Sequence, residues 1–164
     1  MPTHYQGTEE ERRALDLIIK LSRAAYAVNN RMMCGIVGSG ITSSQFGVLD
    51  ALYHLGPMTL GDVARKHLRS PNNITSVVGT MERAGLVERK RCDKDRRVTY
   101  LSITAKGSKI FEGLWSGHVE RVTQAASVLT PEEQEQLGAL CKKLGLGNQC
   151  HEEEPTDLDS SEIG

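Results

Sequence analysis

Apolar residues recur at helical spacing along most of this chain, interrupted by two short runs rich in Val, Tyr, Thr and Ile. Leu15, Ile18, Ile19, Ala25, Tyr26 and Met33 form the first stripe. Thr8 with Glu11 reads as a capping box at its start, and Glu9 and Glu10 suit the positive end of the helix dipole. Gly35, Gly38 and Gly40 break the pattern. A helix of about 25 residues would be roughly 37 Å long. That exceeds what a compact core of this size needs and points to a partner surface. Thr42 with Gln45 opens a second helix carrying Phe46, Val48, Leu49, Leu52 and Tyr53, which closes near Gly56-Pro57. Thr59 with Asp62 opens a short third helix with Leu60, Val63 and Ala64 inward.

The fourth helix is the most informative. Ser70 suits its cap and Pro71 its first position, where the missing N–H costs nothing. Ile74, Val77, Val78 and Met81 form its apolar stripe, and Gly85 stops it. Its other face offers Asn72, Asn73, Thr75, Ser76, Gly79 and Thr80. Surface helices usually carry Lys, Glu and Arg, so a face of small hydrogen-bonding residues stands out. Such a face can enter a groove and touch base edges. The plain alternative is a solvated helix face. Leu86 to Arg91 and Val98 to Ile103 then read as strands joined by the charged connector Cys92-Asp93-Lys94-Asp95-Arg96, a β-hairpin with an exposed tip. Thr104 suits the cap of a helix reaching about Val128, striped by Phe111, Leu114, Trp115, Val122, Ala125 and Leu129. Thr130-Pro131-Glu132-Glu133 opens a last helix with Leu137, Leu140, Cys141 and Leu144 on one face and Gly145 and Gly147 at its end.

The expected fold is therefore mainly α with a small β-ribbon: a winged helix-turn-helix at residues 42–107, flanked by a long N-terminal helix in 1–41 and C-terminal helices in 108–147. Residues 148–164 read as an acidic, disordered tail. At 164 residues the chain suits one domain with extensions. Its net charge of −1 names no partner, but the distribution does. Leu60 to Gly107 holds eleven Lys and Arg against five Asp and Glu, a net of +6, while His151 to Gly164 carries −6. No apolar run is long enough to span a membrane, and no basic-then-apolar signal opens the chain. Both point to a soluble, cytoplasmic protein.

Several motifs resemble those of the MarR (multiple antibiotic resistance regulator) family of transcription factors. They are Gln45-Phe46-Gly47-Val48-Leu49, Thr59-Leu60-Gly61-Asp62-Val63-Ala64, Asn73-Ile74-Thr75, and Met81-Glu82-Arg83-Ala84-Gly85-Leu86-Val87. Asp95-Arg96-Arg97, placed before Ile103-Thr104-Ala105-Lys106-Gly107, resembles the family's wing signature. The resemblance covers about two-thirds of the chain. It departs before the fourth helix, where Leu68 replaces a common glycine and His67 and Arg69 replace apolar residues. The resemblance implies homodimers with intertwined terminal helices, a near-palindromic double-stranded DNA site, and release by a small ligand or by oxidation. Two modules would then sit about one helical turn apart on DNA.

Within that picture Asn72 and Asn73 can bond adenine, and Thr75 can pack on thymine or reach a phosphate, with Ser76 and Thr80 further along the face. The helix N-terminus with Ser70 can instead hold a phosphate. Arg96 or Arg97 should reach the minor groove. By resemblance, Asp95 pairs with Arg97 and orients it; an ordinary exposed ion pair, worth about 0–1 kcal/mol, is the alternative. Arg89, Lys90, Arg91 and Lys94 suit phosphates.

The four cysteines share no CxxC spacing and read as reduced thiols. Cys92, between Arg91 and Lys94, allows a redox-switch reading against incidental placement. Cys34 lies at the wrong end of the first helix for the family's peroxide sensing, and Cys141 reads as core. His54, His67 and His118, with Cys34 or His151, lack ligand spacing, so no metal or cofactor is expected. Trp115, Tyr26, Met32 and Met33 could line an effector pocket or simply pack. Two other functions compete with DNA-binding regulation: a protein-interaction winged helix, and an enzyme. For the latter there is no nucleophile elbow, phosphate loop or credible carboxylate pair.

Overall fold

Capping explains where most helices begin. The computed structural model describes residues 4–66, 71–91 and 98–148, with the side chains of 71–73 left aside. Helix α1 spans Glu9–Met33, α2 Ser43–Leu55, α3 Leu60–Lys66, α4 Pro71–Arg83, α5 Ala105–Ala126 and α6 Pro131–Gly147. At α1, α2 and α6 the expected capping boxes form in full: Thr8 with Glu11, Thr42 with Gln45, Thr130 with Glu133. Before α3, Thr59 Oγ1 accepts from the Asp62 backbone at 3.2 Å and donates to Asp62 Oδ2 at 2.6 Å. That hydroxyl bond lowers the Asp62 pKa, against a smaller opposing effect of desolvation. The turn before α4, including Ser70, and the tail beyond Asn148 lie outside the described residues.

The expected hairpin is part of a three-stranded sheet. Strands β2 (Val87–Arg91) and β3 (Thr99–Ile103) pair antiparallel from Val87↔Ile103 to Arg91↔Thr99. The sequence pattern gave no hint of β1, Met58–Thr59, which pairs with β3 through Met58↔Leu101 and Thr59↔Tyr100. The order is β1-β3-β2, leaving β2 at an edge. A two-residue strand has no periodicity of its own; its neighbour defines it.

The described residues form two compact units, which divide between Ala125 and Ala126. The first holds the core. Phe46, Val48, Leu49 and Leu52 of α2, Val63 of α3, Ile74, Val78 and Met81 of α4, Leu101 of β3 and Phe111 of α5 are buried together with Ile36. In the second unit, α6 buries none of its residues, and Leu137, Leu140 and Leu146 are exposed. Cys141, read from its stripe as core, is exposed as well: among the described residues nothing buries that stripe. Helix α1 also buries no residue.

The joint between α4, β2 and α5 is built from backbone carbonyls. Gly85 adopts a left-handed φ of 69°. Its N–H donates to Glu82 O and that of Leu86 to Met81 O, both at 2.9 Å, a paired C-terminal closure. Thr104 Oγ1 donates to Gly85 O at 2.7 Å and accepts from Gly107 N at 3.1 Å, while Lys106 Nζ donates to Ala84 O at 2.8 Å. Gly107 lies so close that a Cβ there would collide with Leu86 O and approach Ile103 Cγ1 to 2.9 Å. In an open helix Gly→Ala would stabilise by about 1 kcal/mol. Here overpacking wins, and Gly107→Ala is expected to destabilise by about 1–3 kcal/mol in a denaturant melt.

Candidate nucleic-acid interface

Helix α4 divides as its sequence predicts. Ile74, Val78 and Met81 are fully buried and Val77 half-buried, which pins the helix to α2 and α3. Thr75, Ser76 and Thr80 face solvent. Pro71, Asn72 and Asn73 lie in the first helical turn, at the end where N–H groups are unsatisfied and anions are favoured. Thr80 sits at the far end, and its hydroxyl is engaged: it donates to Val77 O at 2.6 Å and accepts from Gln45 Nε2 at 3.4 Å.

Next to α4 stands β2. Glu88, Arg89, Lys90 and Arg91 are all exposed. Arg89 Nε donates to Glu82 Oε2 at 3.0 Å, tying the strand to α4. Both side chains are partly exposed, Arg89 at 39% and Glu82 at 31%, so this pair contributes little stability. What it does is hold one cation of the strand at the flank of α4. Strand alternation puts Arg91 on the face of Arg89 and Lys90 on the opposite one. The remaining wing residues, Cys92, Lys94, Asp95, Arg96 and Arg97, lie outside the described residues, as does Ser70.

A second group of side chains escaped the sequence reading. Phe111 of α5 packs against Phe46 at a centroid distance of 5.4 Å, Tyr53 at 4.7 Å, His54 at 5.6 Å and Trp115 at 5.1 Å. Trp115 in turn meets His54 at 4.9 Å and stacks with His118 at 5.8 Å. His118 Nδ1 is buried with no hydrogen-bond partner among the described residues. Tyr53 Oη donates to Glu112 Oε1 at 3.0 Å; that hydrogen bond, then the carboxylate's charge, raises the phenol's pKa. The periodic signal existed in Phe111, Trp115 and His118, spaced four and three apart on one helix face. Their aromatic partners on α2 are set by tertiary packing. Of the residues expected to line a pocket, Trp115 joins this cluster. Tyr26 is 69% exposed, and Met33 packs against the core. Among the described residues, no group of His, Cys, Asp and Glu could hold a metal ion, and no helix is long and apolar enough to cross a membrane.

Comparison with known proteins agrees with this geometry. The MarR family model matches residues 41–99, from the cap of α2 to the start of β3. The HTH-type transcriptional regulator MhqR of Bacillus subtilis is 36% identical over 134 residues, 82% of this chain and 92% of that protein. BpsR of Bordetella bronchiseptica, solved in a study of how 6-hydroxynicotinic acid regulates its DNA binding, is 25% identical with a TM-score of 0.70, covering 79% of this chain and 98% of that one. Sco3205 of Streptomyces coelicolor, a MarR family regulator solved in complex with DNA, shares the fold with a TM-score of 0.78 at 22% identity, over 92% and 96% of the two chains.

Proposed function

Because the chain belongs to the MarR family of DNA-binding transcriptional regulators, and is therefore no enzyme, we propose that it is a cytoplasmic homodimeric repressor on a near-palindromic operator, released by a small aromatic ligand. The observation that carries this reading is α4: a helix pinned by a buried stripe, with small hydrogen-bonding residues outward and the basic strand β2 alongside. Asn72, Asn73, Thr75 and Ser76 read base edges in the major groove. Arg89, Lys90, Arg91 and Lys94 meet phosphates, and Arg96 or Arg97, the latter oriented by Asp95, enters the minor groove.

The dimer reading draws support from α1. It runs for 25 residues without burying one, and leaves Leu15, Leu17, Ile18, Tyr26 and Val28 exposed. Exposed apolar residues on such a helix suit contact with a second copy. Those of α6 do the same. Selecting bound duplexes from a random pool tests both points. An inverted repeat with half-sites about one helical turn apart is expected; a single half-site motif would overturn the dimer, and no enrichment would overturn sequence-specific binding. Arg91→Ala should weaken binding evenly across sequences and lower the slope of log affinity against log salt by about 1. An unchanged slope in a fluorescence-anisotropy titration would remove Arg91 from the interface.

For the effector, support comes from the ring cluster of Tyr53, His54, Phe111, Trp115 and His118, whose buried Nδ1 has no partner among the described residues. BpsR responds to an aromatic acid, and a planar ring with a polar substituent fits the same chemistry. Trp115 is the only tryptophan, so its fluorescence reports the cluster alone. Phenols and aromatic acids should change that emission and release DNA together; emission that ignores all of them while DNA is released would place the effector elsewhere.

A further inference from the structure

Helix α1 leaves the DNA-reading module through a narrow joint. It buries none of its own residues. Just past its end Ile36 is fully buried in the core, and Met33 packs against that core. The polar part of the joint is Arg121 of α5, whose Nε donates to Met32 O at 3.2 Å. Met32 lies in the last turn of α1, where carbonyls lack helical partners and the dipole favours a cation.

The guanidinium occupies a slot made by two glycines. A Cβ on Gly35, in the turn after α1, would collide with the Arg121 Cζ, Nη1 and Nη2 atoms. A Cβ on Gly117, one turn before Arg121 on α5, would come within 3.2 Å of Nη1. So Gly35, distant in sequence, and Gly117, on the same helix as Arg121, cooperate to seat one planar group between the end of α1 and the side of α5. A lysine could reach the same carbonyl, but it is not planar and presents no fork to fill the slot.

We infer that Arg121 is a positioning residue: it sets the direction in which α1 leaves the DNA-reading module, and thereby the half-site spacing the dimer selects. This rests on the homodimer proposed above, in which α1 connects the two modules. The distance between the two α4 helices then depends on the angle at which each α1 departs. Arg121 is placed on no surface assigned to DNA, so its effect would be one of geometry.

The test uses the full chain and operators whose half-sites are moved apart or together one base pair at a time. Solution mass comes first: a monomeric wild type overturns the dimer reading itself, before any variant is made. With a dimer in hand, Arg121→Ala and Gly35→Ala should both stay folded and dimeric by circular dichroism and mass. Each should lose about tenfold in affinity at the best spacing, the scale of ordinary coupling between distinct sites, while the preference for that spacing over its neighbours flattens. Gly35→Ala expels the guanidinium from its slot, so it should add nothing in the Arg121→Ala background. Arg121→Lys should fall between. A general loss of stability would weaken all spacings alike. Unchanged spacing preference in Arg121→Ala, or fully additive losses in the double variant, would overturn the inference.

Discussion

Ser76→Glu is expected to abolish operator binding while the protein remains folded. Ser76 is exposed on α4, opposite the buried stripe of Ile74, Val78 and Met81. Glutamate is the better helix former, so α4 itself loses nothing, and a surface change of this kind moves stability by about 0.5 kcal/mol or less. The DNA side is different. A carboxylate pressed into a groove between phosphate chains is desolvated beside like charges, which costs several kcal/mol, or at least about 100-fold in affinity. Anisotropy titration and a thermal melt on the same sample separate the two effects. Wild-type affinity would remove this face of α4 from the groove. A collapsed melting temperature would mean that Ser76 has a role inside the fold.

Phe111→Ala has the largest expected effect on stability. Phe111 is fully buried, and its ring joins α5 to Phe46 and Tyr53 of α2. Truncation removes most of that contact and leaves a cavity which flanking rings can fill only by leaving their rotamers. The cost is about 3–5 kcal/mol, and the melting temperature should fall by roughly 10 °C or more. Trp115, whose ring lies 5.1 Å away by centroid, reports the change through its emission. A shift under about 2 °C in a calorimetric scan would mean that the neighbouring rings close the gap.

Local chemistry made much of this fold legible. Three capping boxes located the starts of α1, α2 and α6, because each needs only four consecutive residues. The two-sided nature of α4 was readable because burial there follows the helical period. What escaped depends on residues distant in sequence. Strand β1 exists through Leu101 and Tyr100. The ring cluster needs α2 and α5 together, and the tie of Arg89 to Glu82 needs the turn at Gly85. Cys141 was misread because a periodic apolar stripe says that a face seeks cover, not whether the same chain supplies it. In the candidate interface the residue types were legible, but the engagement of the Thr80 hydroxyl by Val77 and Gln45 was not.

The clasp at the exit of α4 bears on how this protein can change over generations. Thr104 and Lys106 grip the carbonyls of Ala84, Gly85 and Leu86, and Gly107 packs against the last of these. Carbonyl oxygens are the same whatever side chain a residue bears. The orientation of α4 is thus anchored at its far end by groups that mutation of Asn72, Asn73, Thr75 or Ser76 leaves intact. On the proposed reading of α4, new operators are within reach of single substitutions on the outward face, without renegotiating the fold, and a duplicated copy could diverge in target while keeping its frame.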